Sequence, residues 1–212
     1  MDEAPLTVDV PEGPRLEARI ALPASPAGGL VVCHPHPLYG GDMDNPVVIR
    51  CAEVAWGLGL ATLRFNFRGV GASTGPRDGK GAEQADVRAG LAALAARVGV
   101  GCRIALAGYS FGAWISARVA GEDPAALAGL CLVAPPLSML DVSAVPAIHP
   151  TLVVAGSRDQ YCPVDALEDL GRRMPAATIT VIEGADHFFF GKLFPLSSAV
   201  ETWCQNVIGA AA

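Results

Sequence analysis

Two spacings of apolar residues alternate along this chain. Short, nearly unbroken apolar runs occur at 30–33 (LVVC), 61–67 (ATLRFNF), 103–108 (RIALAG), 130–134 (LCLVA), 151–156 (TLVVAG) and 178–184 (TITVIEG). Short runs without a polar face are what strands covered on both sides show. Between them, 45–58, 82–98, 111–121, 164–173 and 196–208 carry helical patterns rich in Ala and Leu. In the second of these, Val87, Leu91 and Leu94 recur at helical spacing, and Gly99 stands just past the end. Near the start, LTVDV and RLEARIAL alternate polar and apolar positions around turn residues, which predicts an antiparallel edge hairpin.

Strand–helix alternation predicts an α/β fold, a mostly parallel central sheet with helices on both faces, as a single domain over 1–212. No internal repeat or linker divides it. In such sheets ligands bind beyond the carboxyl ends of the strands. Chemistry is therefore expected in the loops at 34–42, 66–75, 108–112, 135–150, 156–163 and 184–190.

Composition narrows the function classes. Hydrophobic residues make up 51% and charged residues 17%, a globular balance. A net charge of -6, with no basic run longer than Arg172–Arg173, gives no footprint for nucleic acid or an anionic membrane. No apolar stretch approaches the roughly 20 residues of a bilayer span. The opening MDEAPLTVDVPEGP is acidic and proline-rich, unlike a secretory signal. Six cysteines (33, 51, 102, 131, 162, 204) lie far apart with no CxxC pair. Cys33, Cys102 and Cys131 fall in or beside apolar runs, as buried free thiols do. Together these features predict a cytoplasmic protein.

The sharpest chemical signal is Gly108-Tyr109-Ser110-Phe111-Gly112, a G-x-S-x-G directly after one predicted strand and directly before one predicted helix. That setting makes the pentapeptide a nucleophile elbow, with Ser110 at a helix N-terminus that favours a developing oxyanion. A serine hydroxyl needs a base and an orienting carboxylate, expected in the chain order Ser, acid, His. Only His149 and His187 follow Ser110. His187 lies just after the last predicted strand, whereas His149 precedes a strand at its amino end. Asp159, a short turn after TLVVAG, is the first candidate for the acid and Asp165, inside the next helix, the second. Asp141 has no strand leading into it, and Asp186 is too near His187 in sequence to reach around its ring; a loop-stabilising role suits Asp186 better.

Acyl transfer also needs two donors aimed at the oxyanion. The N–H of Phe111 is one, and the loop HPHPLYGG supplies the other. Pro35 and Pro37 have no N–H, which leaves His36 first and Leu38 second. A metal reading of His34 and His36 lacks a third ligand, so neither metal nor cofactor is expected. Two glycine-rich segments miss phosphate-binding spacing: GVGASTG by one residue, and TGPRDGKGA, where Gly81 stands in place of Ser or Thr after Gly79-Lys80.

The elbow GYSFG, FNFRGVGASTG, GSRDQYCP around the acid and GADHFF around the base appear in the order of the α/β-hydrolase superfamily, which the chain resembles over nearly its whole length. The stretch HPHPLYGGDMDNPVV resembles small bacterial hydrolases akin to the dienelactone-hydrolase and esterase branch, where His-Gly more often stands in place of His34-Pro35. The resemblance implies a Ser110–Asp159–His187 triad, a turn organised by Arg68 and Gly69, and an ester substrate. A thioester, a small amide or acyl transfer to another acceptor uses the same triad, and a non-catalytic binding scaffold is the remote alternative. Only about 16 residues follow LCLVA before the next strand, room for a flap but not a cap domain. An open site is expected, edged by Leu38, Tyr39, Phe111, Leu137, Met139, Leu140 and Phe188 to Phe190, with at least one of these three phenylalanines in ordinary packing.

Overall fold

A computed structural model describes residues 1–11, 13–78, 81–99, 101–139 and 150–209. Of the residues weighed above, Gly79, Lys80, Leu140, Asp141 and His149 lie outside this set. Eight strands form one sheet: β1 (Ala4–Asp9), β2 (Arg15–Ala21), β3 (Gly29–Cys33), β4 (Ala61–Phe65), β5 (Ile104–Tyr109), β6 (Leu127–Val133), β7 (Thr151–Gly156) and β8 (Ala177–Ile182). Their spatial order is β1-β2-β4-β3-β5-β6-β7-β8. β1 pairs antiparallel with β2, as the alternating pattern predicted; β2 also pairs antiparallel with β4, and every other pairing is parallel.

Alternate residues of the central strands feed two separate cores. Val31 and Cys33 of β3, Leu106 of β5, Leu132 of β6 and Val153 of β7 face one side. There they meet α2 (Glu83–Val98) through Val87 and Leu94, and α3 (Phe111–Glu122) through Ile115. α4 (Val164–Arg173) joins the same side through Leu167 and Leu170. Leu30, Ala107, Cys131 and Val154 face the other, against α1 (Pro46–Gly57) and α5 (Leu193–Gly209). This two-sided burial explains why the central strands carry no polar face. Five of the six free cysteines are buried, and Cys102 is half-buried. No helix among the described residues is long and apolar enough to cross a membrane.

Strand ends at the carboxyl edge are locked by side chains on neighbouring loops. Arg68, three residues past β4, makes an ion pair of 2.6 Å with the fully buried Asp86 of α2, and its N–H donates to the same carboxylate. Asn66 accepts from the Met43 N–H and donates to Glu17. Through these bonds the FNFRGVGASTG segment closes the turn that borders the site.

Candidate active site

Ser110 joins β5 to α3 with φ 54 and ψ -115, a backbone conformation that side chains resist. Two glycines make the turn possible by close approach. A Cβ on Gly108 would stand 2.3 Å from the Gly112 carbonyl oxygen, and one on Gly112 would stand 2.4 Å from that of Cys33. The first turn of α3 is thus pressed against both β5 and the end of β3. Backbone bonds hold Ser110 there: its N–H donates to Val133 O at 2.9 Å, and its carbonyl accepts from Trp114 N–H at 3.1 Å.

The structure brings the three predicted side chains together. His187 Nε2 lies 3.0 Å from Ser110 Oγ, and His187 Nδ1 lies 2.8 Å from Asp159 Oδ2. An ionised carboxylate only accepts, so Nδ1 carries the proton and Nε2 is left to accept from the serine hydroxyl. Asp159 Oδ1 accepts from the N–H groups of Tyr161 and Cys162 at 2.8 and 3.0 Å, which fixes the carboxylate plane. The Tyr109 hydroxyl donates to His187 O at 2.9 Å and ties the base loop to β5. Asp165 lies on exposed helix surface, with its carboxylate on the Ala166 N–H. Asp186 accepts from Phe188 and Phe190 N–H, which is the loop role expected of it.

The two histidines after β3 face different partners. His34 is fully buried; its Nε2 accepts from Phe67 N–H at 3.0 Å and its Nδ1 donates to Pro35 O at 2.7 Å. Both ring nitrogens are therefore committed to backbone, and burial lowers the pKa from 6.5 to about 4. His36 Nδ1 accepts from Leu38 N–H at 3.1 Å and caps the short turn Pro37–Tyr39. That bond occupies the Leu38 N–H. Among the described residues, neither the His36 N–H nor the Phe111 N–H donates to another backbone group. Among the described residues, no group of three or more His, Cys, Asp or Glu side chains is placed to hold a metal.

A cavity of about 310 Å³ opens over Ser110 and His187. Tyr39, Phe111, Met139 and Phe188 line it as expected. Leu38 and Leu137 do not: Leu38 is 73% exposed, and Leu137 packs against the core. Asn45, Pro136 and Tyr161 also line it, although no pattern in the sequence singled them out. Tyr161 stands two residues after the acid, and a loop wide enough to bring it over His187 was the available signal; their ring centroids are 4.8 Å apart. A larger groove of about 610 Å³, between β1 and α2, is lined by no serine, cysteine or histidine among the described residues. The buried Cys162 thiol, close to Asp159, is pushed up to about 12 by burial and is not a competing nucleophile.

Residues 30–210 match the family model described as an alpha/beta hydrolase domain. An uncharacterised protein of Rickettsia prowazekii is 33% identical over 208 residues, covering 93% of this chain and 87% of that one. Among solved structures, an alpha-beta serine hydrolase homologue from Coxiella burnetii is 36% identical with a TM-score of 0.85, covering 95% of this chain and 97% of its own. A serine hydrolase without a lid from Xanthomonas campestris is 33% identical with a TM-score of 0.88, covering 97% of this chain and 94% of its own.

Proposed function

The chain belongs to the alpha/beta hydrolase family, and on that premise we propose that it hydrolyses small, short-acyl carboxylic esters through an acyl-enzyme on Ser110. The observation that carries this reading is the continuous chain of bonds from Ser110 Oγ through His187 to Asp159, at 3.0 and 2.8 Å. It starts at a serine held in a strained elbow and ends at a carboxylate fixed by two backbone donors.

In the proposed reaction His187 Nε2 takes the Ser110 proton as Oγ attacks the ester carbonyl. Asp159 keeps the proton on Nδ1 and stabilises the imidazolium that forms. Negative charge on the carbonyl oxygen is met by the Phe111 and His36 N–H groups, both held before substrate arrives. His187 then protonates the departing alkoxide, and water, activated by the same nitrogen, releases the acid and restores Ser110. The whole chain, 1–212, acts as one cytoplasmic catalytic domain in this reading. A fluorophosphonate probe tests it: wild type is labelled and turns over a short-chain ester, and Ser110→Ala does neither. Equal labelling of both proteins, or none of wild type, sinks the assignment.

A further inference from the structure

The loop after β8 holds two phenyl rings in water by construction. Phe189 is buried, with φ 56, and anchors the segment. On either side of it, Phe188 is 56% and Phe190 is 78% exposed, with ring centroids 5.8 Å apart. Three bonds set their backbone: Asp186 Oδ1 accepts from both N–H groups, and Tyr109 Oη donates to His187 O. Core packing gives no reason for this, because of the three phenylalanines it is Phe189 that enters the core. Phe188 lines the cavity and meets the His187 ring edge-to-face at 5.5 Å, Tyr161 packs on the same imidazole, and Phe190, outside the cavity lining, extends from Phe188.

Reaction chemistry says which part of a substrate lies there. His187 Nε2 must hand its proton to the leaving oxygen, so the alcohol half of an ester sits beside the imidazole and not beside the oxyanion donors. No Asp, Glu, Lys or Arg among the described residues lines the cavity, so a charged alcohol would lose hydration without a partner. We propose that Tyr161, Phe188 and Phe190 form an aromatic shelf that selects esters of flat, uncharged aryl-methyl alcohols. This inference rests on the serine-hydrolase reading above. The rings offer faces and edges at spacings that suit a further ring.

The test compares benzyl acetate with cyclohexylmethyl acetate, which matches its bulk but has no aromatic face, and with ethyl phenylacetate, which places the ring on the acyl side. Wild type is expected to favour benzyl acetate over each by about fivefold in kcat/KM, what one ring–ring contact adds beyond buried area. Phe188→Leu and Phe190→Leu, both at exposed positions, should bring the ratio towards one. Equal rates for the three esters, with Ser110 labelled by fluorophosphonate, overturn the shelf and leave the hydrolase reading intact. Binding of benzyl alcohol to the Ser110→Ala protein, followed by ring-proton line broadening, reads the shelf without turnover. Weakening of that binding by an added Phe188→Leu supports the shelf even where turnover fails. Binding that Phe188→Leu leaves unchanged, or no binding, overturns it.

Discussion

The loops after β3 and β8 each bring an imidazole to the carboxyl edge of one sheet, yet the two rings are made to do opposite things. His34 bonds a backbone carbonyl with one nitrogen and a backbone N–H with the other, so no lone pair or proton is left for a substrate. His187 spends one nitrogen on a carboxylate and turns the other to a hydroxyl, whose proton can move. Burial is similar, both being buried residues. What differs is the chemistry of the partner: a peptide group fixes a tautomer permanently, whereas a hydroxyl lets the proton cross. Reading a histidine as catalytic therefore requires its second partner, not its position in a loop.

The largest effect should separate the two directly. His187→Gln is expected to lower kcat by about 10⁴-fold or more with the urea midpoint little changed, as loss of a base does; a tenfold loss only would mean that another group takes the serine proton. Asp159→Asn tests the tautomer: an amide cannot hold the Nδ1 proton as a carboxylate does, and kcat should fall by about 10⁴-fold. Steady-state rates with one short-chain ester measure both.

The β3 loop is tested next through its backbone. His36 has φ -62, which proline can adopt, so His36→Pro removes the proposed oxyanion donor together with the ring that caps the Pro37 turn. Measured against His36→Ala, which loses the same ring but keeps the N–H, kcat should drop by about 10²–10³-fold. An equal rate for the two would move the second donor elsewhere.

The smallest effect is on stability and belongs to His34. Its folded pKa of about 4 lies below the ordinary 6.5, so between these values the unfolded chain binds a proton that the folded chain rejects. Stability from this residue is complete above pH 6.5 and is lost as the pH falls towards 4, by about 3 kcal/mol in all. Urea unfolding of wild type and His34→Gln at pH 7.5 and 4.5 measures it: the advantage of wild type should shrink at the lower pH. An advantage independent of pH would show that folding leaves the proton affinity of His34 unchanged, against its lowered pKa.

Much of this was legible in the chain. Nearly unbroken apolar runs located the buried strands, because both sheet faces are covered; Thr62 and Arg64 of β4 and Thr151 of β7 are buried polar exceptions. Ser110, Asp159 and His187, whose side chains meet, were singled out because each follows a strand by a short turn. Harder to read were groups that act through the backbone. Nothing in HPHPLYGG announces that the His36 ring would take the Leu38 N–H, since that depends on the turn at Pro37. The cavity walls were only partly anticipated: Leu38 and Leu137 are not among the lining residues, and Tyr161 arrives from a loop with no periodic pattern. Loop side chains obey no repeat, so their direction is decided by tertiary contacts alone.

Gly112 carries a consequence for how such a protein can change. Its missing side chain lets α3 rest directly on the carbonyl oxygens of Cys33 and His34, so the turn that bears Ser110 and the loop that bears His36 share one contact. Variation in either would be transmitted to the other, and neither can drift alone. Tyr39, Met139, Phe188 and Phe190 are exposed, and Tyr39 and Phe188 meet His36 and His187 only through ring contacts, not through a shared backbone approach. New substrate preferences should accumulate at those four positions first, with the reactive centre inherited unaltered beneath them.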